Sequence, residues 1–117
     1  MTDIRIKRAY RAARVSDGQR ILVDRLWPRG LAKDRVRLSA WIKELAPSDE
    51  LRRWFDHDPA KWSEFEHRYS VELDLQPEAV AALLSLTVAG PVTLVYGAKS
   101  EEFNNAKALQ NYLFRRT

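Results

Sequence analysis

The chain has no cysteine, so disulfides, thiolate metal sites and cysteine nucleophiles are excluded on chemical grounds. It has no apolar run approaching the roughly 18 residues that cross a bilayer. Its first ten residues, MTDIRIKRAY, are charged from the third onward and lack the apolar stretch of a secretory signal. These absences predict a cytoplasmic protein with no membrane partner, held together by packing alone. Repeats, low-complexity tracts and Pro/Gly/Ser-rich linkers are missing too. The 117 residues fit one domain, which at about 100–150 residues buries roughly two-thirds of its unfolded surface. With 45% hydrophobic and 31% charged residues, the composition is that of a globular chain and not of a disordered one.

What is present is unevenly charged. The net charge is +4, but residues 1–37 hold eleven Lys or Arg against four Asp or Glu, whereas residues 38–117 hold nine against twelve. A basic first third attracts phosphates, nucleic acid or acidic partners, although charge alone governs encounter and solubility and not chemistry.

Residues 4–7 alternate apolar with basic side chains, as in an edge strand, and residues 11–18 read as a polar loop ending in the turn pair Asp17-Gly18. Ile21-Leu22-Val23 is a short β-branched run expected of a strand buried on both faces, stopped by Trp27-Pro28-Arg29-Gly30 because proline cannot donate to a ladder. From residue 38 the spacing of Leu38, Trp41, Ile42 and Leu45 predicts a helix that Pro47 interrupts, and Ser48 then caps a second short helix through Trp54 and Phe55. Asp58-Pro59 signals a helix start. Trp62, Phe65, Tyr69 and Leu73 follow at spacings of three and four, giving an amphipathic helix. A further helix runs from near Pro77 with Val80, Leu83 and Leu84 inward. Val92-Thr93-Leu94-Val95-Tyr96 is the second buried strand, and residues 103–114 close the chain as a helix. Helices between apolar strands imply parallel pairing. The expected fold is a single α/β domain over residues 1–117, small and three-layered, with a mainly parallel three- or four-stranded sheet flanked by helices. Residues 35–38 are the candidate for the extra strand.

Parallel sheets place ligands at the carboxyl ends of their strands, where loops diverge and helix N-termini carry partial positive charge. The two buried strands run into residues 24–30 and 97–105, so neighbouring strands would pool Asp24, Arg25, Arg29, Lys99, Asn104 and Asn105. Arg25 and Arg29 are the natural clamp for a carboxylate or phosphate, because a guanidinium presents a planar fork, and Lys99 adds a flexible point charge. Asn104 and Asn105 would orient the ligand, Trp27 would floor the pocket, and Asp24 is the candidate general base. Each has a plainer reading: an Asp24–Arg25 ion pair, a solvated Arg29, a helix cap at Asn104 or Asn105.

Other motifs carry less. GxxxxGK[ST] is absent, so triphosphate hydrolysis has no support. Asp56-His57-Asp58 has metal-ligand residue types, but adjacent residues rarely converge on one ion and Asp58 serves better as a cap, so no metal is expected. His67 falls on a polar helix face, and Trp41, Trp54 and Trp62 fall on apolar ones. Ser100 lies in no nucleophile elbow.

The strings DGQRILVDRLWPRG (residues 17–30), ELAPSDELRRWFDHDPAKWSEFEHRY (44–69) and TLVYGAKSEEFNNAKALQNYL (93–113) resemble, in order and over nearly the whole chain, the YeaO-like proteins of the bacterial domain-of-unknown-function 488 family. DRLWPRG is the most specific of them. The resemblance implies the fold, and the family's name assigns no activity. It also implies an Asn-His pair where this chain has Asn104-Asn105. If relatives use that histidine as acid or base, Asn105 does not replace it, because an amide does not titrate near neutral pH.

The resulting expectation is a domain that binds a small phosphate- or carboxylate-bearing ligand at the strand ends, with its transformation left open and with no cofactor. The alternative is a nucleic-acid-binding or protein-interaction module using the basic first third.

Overall fold

Alternation of side chains along the strands decides the layering. In the computed structural model, which describes residues 3–116, Ile21 and Val23 point to one face of the sheet with Ile4, Leu94 and Tyr96. Leu22 points to the other with Ala9 and Val95, as the two-residue period of a strand requires. The strands are β1 (Ile4–Arg8), β2 (Gln19–Leu22), β3 (Ala40–Trp41) and β4 (Val92–Tyr96). They hydrogen-bond in the order β1-β4-β2-β3, and every pair is parallel. The helices are α1 (Lys33–Val36), α2 (Asp49–Phe55), α3 (Trp62–Asp74), α4 (Pro77–Ala89) and α5 (Asn105–Arg116). The protein is thus the small α/β domain that its sequence predicts, with a parallel sheet flanked by helices. Among the described residues no helix is long and apolar enough to cross a membrane.

The two faces are covered unequally. Buried residues of α2, α3, α4 and α5 share the core of the first face with Ile4, Ile21 and Leu94. The second face is roofed by α1 through Val36, with Trp27, Leu31, Leu38 and Trp41 packed beside it. Beneath the loop between β1 and β2 that face is ionic: Asp17, 6% exposed, meets Arg20, 3% exposed, with 2.7 Å between Oδ2 and Nη1, and Lys7 Nζ lies 2.9 Å from Oδ1. Gly18 follows at φ +65°, where a Cβ would stand 2.2 Å from the Pro91 carbonyl oxygen. The turn pair read from the sequence is therefore a place where only glycine lets β2 start its ladder on β4, through the 3.1 Å bond from Gln19 N–H to that same oxygen.

Two sequence expectations are corrected. Residues 35–38 do not form the extra strand, since Lys33–Val36 is helical. The helix expected from Leu38 is instead β3 followed by a 3₁₀ turn at Lys43–Leu45. The apolar residues of this segment do not share one face: Ala40 and Ile42 join the first core and Leu38 and Trp41 the second. The open edge of β2 takes the backbone instead, with Ser39 N–H donating to Arg20 O at 2.7 Å and Ile42 N–H to Leu22 O at 3.1 Å. The remaining elements form where the pattern placed them. Ser48 caps α2 by accepting from Leu51 N–H, and Phe65, Tyr69 and Leu73 line the buried face of α3.

Candidate functional site

Because β2 and β4 are parallel neighbours, their carboxyl ends open on the same rim. The chain leaves β2 toward α1 on the second face and leaves β4 toward α5 on the first. Such a divergence opens a crevice at the point where connections switch faces. A cleft of about 260 Å³ occupies it, bordered by residues 24–29, 97–98 and 103–105 together with Tyr10, Pro47, Arg52, Phe55, His57 and Phe65.

Asp24 stands at the junction. Its Oδ2 accepts from Gly97 N–H at 2.8 Å and its Oδ1 from Asn105 Nδ2 at 3.0 Å. The same Asn105 nitrogen donates to Val23 O at 3.0 Å, and Trp41 Nε1 donates to the Asp24 carbonyl at 2.7 Å. One side chain therefore ties the end of β2 to the end of β4 and to the first turn of α5. Burial raises the Asp24 pKa above the usual carboxylate value, against the opposing bonds from Asn105 and Gly97 and the charge of Arg52. A Cβ on Gly97 would stand 3.1 Å from Asp24 Oδ2, so Gly97→Ala is expected to push the carboxylate off its amide and cost about 1 kcal/mol, a typical hydrogen-bond contribution. Urea unfolding of the variant checks this, and an unchanged midpoint would show that the junction has slack.

The other sequence-selected residues divide. Arg25 and Arg29 border the cleft and are exposed, with Arg25 Nε 3.7 Å from Asp49 Oδ1. Trp27 borders it too, its ring edge-on to Trp41 at 5.5 Å and its Nε1 donating to Leu31 O at 2.7 Å. Asn104 is buried and committed to α5: its Oδ1 accepts from Lys107 N–H at 2.8 Å and its Nδ2 donates to Ser100 O at 3.0 Å. Lys99 is exposed and is not among the residues that border the cleft.

One bordering residue, Arg52, escapes the sequence reading, and another, His57, enters it only within the Asp56-His57-Asp58 metal pattern. Arg52 lies about one turn into the second helix, and Asp49 holds it at 3.3 Å beside Arg25. His57 follows α2 with Asp56, both in the left-handed region at φ 55° and 48°. Non-glycine residues visit that conformation rarely, and here it turns the chain so that His57 faces the cleft. Glu72 fixes the start of α2, accepting from Ser48 N–H at 2.8 Å and from Ser48 Oγ at 2.6 Å. A clue was present in the sequence, since a short capped helix ending in two cations and two aromatics must present one side to whatever lies beside the sheet.

Residues at the end of β1 and just after it brace both loops. Tyr10 OH donates to Arg29 O at 2.7 Å, Arg8 Nε donates to Ala98 O at 2.8 Å, and Arg11 pairs with Glu101.

Comparison with known proteins agrees with the resemblance carried by the motifs. The chain is similar to the uncharacterized protein YeaO of Escherichia coli (strain K12), 40% identical over 111 residues that cover 95% of this chain and 96% of that one. It is similar to the uncharacterized protein Rv3073c of Mycobacterium tuberculosis (strain ATCC 25618 / H37Rv), 41% identical over 112 residues that cover 96% and 94%. No solved structure matches. The family model described as "Inactive DUF488-N3 subclade" matches residues 3–117. With the match running from the start of β1 through α5, the chain belongs to the DUF488-N3i family.

Proposed function

We propose that this protein binds a small anionic ligand in the cleft between the β2 and β4 loops and does not transform it. The observation that carries the reading is the gathering of Arg25, Arg29 and Arg52 around one concave site at the switch point of a parallel sheet. Guanidiniums suit carboxylate or phosphate, and Asp49, which pairs with both Arg25 and Arg52, keeps two of them side by side. The absence of turnover rests on two supports. Asp24 is held in place as a tie between the strand ends by the Gly97 amide and Asn105, and Asn105, standing where the resemblance puts a histidine, offers no proton near neutral pH. The subclade's printed description, inactive, agrees.

The basic first third gives the nucleic-acid alternative less support, because much of its charge is spent internally. Arg5 pairs with Asp3, Lys7 and Arg20 with Asp17, and Arg11 with Glu101. A protein-interaction surface has the exposed Val15, Leu26, Leu75 and Val88 in its favour, but these sit on separate elements.

A thermal-shift screen of inorganic phosphate and simple carboxylates tests the reading, since a ligand that binds only the folded state stabilises it by mass action. Arg29→Ala and Arg52→Ala are each expected to weaken a bound anion by up to about fivefold, the upper end for exposed charge pairs. Unchanged affinity in both, or no shift with any anion alongside salt-sensitive binding to DNA or RNA, would move the function elsewhere on the molecule.

A further inference from the structure

We infer that the ligand of this cleft is amphoteric: a hydrogen-bond donor head, an ammonium or N–H group, seats on Asp24 and Asn105 at the floor, an apolar body fills the middle, and the anion stays at the arginine rim. This deepens the binding reading above and rests on it.

Each side-chain donor nitrogen beside the floor serves an acceptor within the chain. Asn105 Nδ2 serves Asp24 and Val23 O, and Asn104 Nδ2 serves Ser100 O. Trp41 Nε1 serves Asp24 O and Trp27 Nε1 serves Leu31 O, while the Gly97 amide serves Asp24. The acceptors are not spent. An ionised carboxylate offers about four lone-pair sites, and two protein donors reach Asp24. Asn105 Oδ1 receives no donor among the described hydrogen bonds. A floor made of acceptors repels an anion and leaves a donor as its complement.

The polarity is opposite at the mouth. Arg25, Arg29 and Arg52 are exposed and present guanidinium forks that suit an anion. Between floor and mouth the lining is mainly apolar, with Phe55, Phe65, Pro28 and Pro47 buried and Phe103 half-buried. A ligand bearing only an anion would use the mouth and leave the acceptors of the floor without partners. One bearing only an amine would leave the arginines idle. A molecule with both, separated by an apolar spacer, satisfies each end, and burial of Asp24 makes an ammonium partner there more valuable than in water.

Isothermal titration with matched probes tests this. The two-headed probes are 4-(aminomethyl)benzoate and its longer homologue 3-[4-(aminomethyl)phenyl]propanoate; the one-headed controls are 4-methylbenzoate and 4-methylbenzylamine. At least one two-headed probe is expected to bind about tenfold tighter than either control, the scale of one charge-assisted hydrogen bond. Asp24→Asn is expected to erase the advantage of the two-headed probe over 4-methylbenzoate, and Arg52→Ala to shrink its advantage over 4-methylbenzylamine. If 4-methylbenzoate matches both two-headed probes on the wild-type protein, the donor head is refuted while anion binding stands. If 4-methylbenzylamine matches them and 4-methylbenzoate does not bind, the anion reading itself fails. The wild-type comparison decides between these outcomes even if the Asp24 variant does not fold.

Discussion

Replacing Asp17 by alanine is expected to cost about 3–5 kcal/mol, the penalty for breaking a buried ion pair by removing one partner, and so to consume much of the roughly 5–15 kcal/mol that holds a domain folded. The carboxylate is the common partner of three donors: Lys7 Nζ at 2.9 Å, Arg20 Nη1 at 2.7 Å and the Arg14 amide at 3.0 Å. Without it the Arg20 guanidinium keeps one bond, from Nε to Val36 O at 2.8 Å, and its Nη2 is already buried without a partner. Lys7, at the sheet edge, relaxes toward water more readily, so the larger share of the loss falls on Arg20. Urea unfolding is the measurement. The double variant Asp17→Ala/Arg20→Leu is expected to recover about 2 kcal/mol of the loss or more, because it removes the stranded charge along with its partner. A double variant as unstable as the single would trace the loss to the loop's backbone instead.

The same cluster gives a pH dependence with a fixed sign. Burial pushes the Asp17 carboxyl up, but the bonds from Lys7, the Arg14 amide and Arg20 together outweigh it and hold its pKa below the ordinary 3.8. A depressed pKa means that the unfolded state takes up the proton first. Its stabilisation is therefore complete above about pH 4 and is lost as the pH falls through the folded-state value.

How far all this could be read from the sequence depends on whether a residue's role is local. Val92 to Tyr96 and Ile21 to Val23 are visible as strands because burial on both faces demands unbroken apolar runs. Ser48, with its Oγ on Leu51 N–H, and Phe65, Tyr69 and Leu73 on α3 are visible because capping and helical periodicity act within a few residues. Residues 38–45 are misread because their apolar spacing fits a helix as well as a strand followed by a tight turn, and what decides is a partner some 20 residues away, the open edge of β2. The ionic cluster is hidden for the same reason. Arg20 looks like the polar start of a strand, and only the return of the β1–β2 loop over the second face shows that it is buried.

The site follows the same rule. Asp24, Arg25, Trp27 and Arg29 are legible because a strand end in a parallel sheet locates a ligand before any side chain is placed. Lys99 stands apart from the cleft because the segment after β4 turns outward, where Arg11 pairs with Glu101, and Asn104 is drawn into capping α5. Arg52 and His57 enter from an element far from both strand ends in sequence, delivered by a helix whose start Glu72 fixes from α3. No local pattern encodes that delivery, since it depends on how α2 and α3 pack.

Asp24→Ala is expected to destabilise the protein by about 2–3 kcal/mol, because the Gly97 amide loses its acceptor in a half-buried position and Asn105 keeps only Val23 O. Asp24→Asn separates that structural loss from charge. Burial places the folded-state pKa of Asp24 above the unfolded 3.8, so between the two values the folded protein holds the proton more tightly. Its stability contribution is then full below about pH 4 and declines as the pH rises through the folded-state value, the reverse of Asp17. Asparagine does not titrate, so the penalty of Asp24→Asn relative to wild type is expected to be largest in acid and to shrink toward neutral pH. Chemical denaturation of the pair from pH 3.5 to 7 reads this directly. A penalty that grows with pH would mean that Asp24 is stabilised as the anion, with Arg52 or another cation countering its burial. An ammonium at the floor has the same effect by a different route: it gives the carboxylate a cationic partner. Binding of a two-headed probe at acidic pH should therefore release a proton from Asp24, and 4-methylbenzoate, lacking the amine, should not.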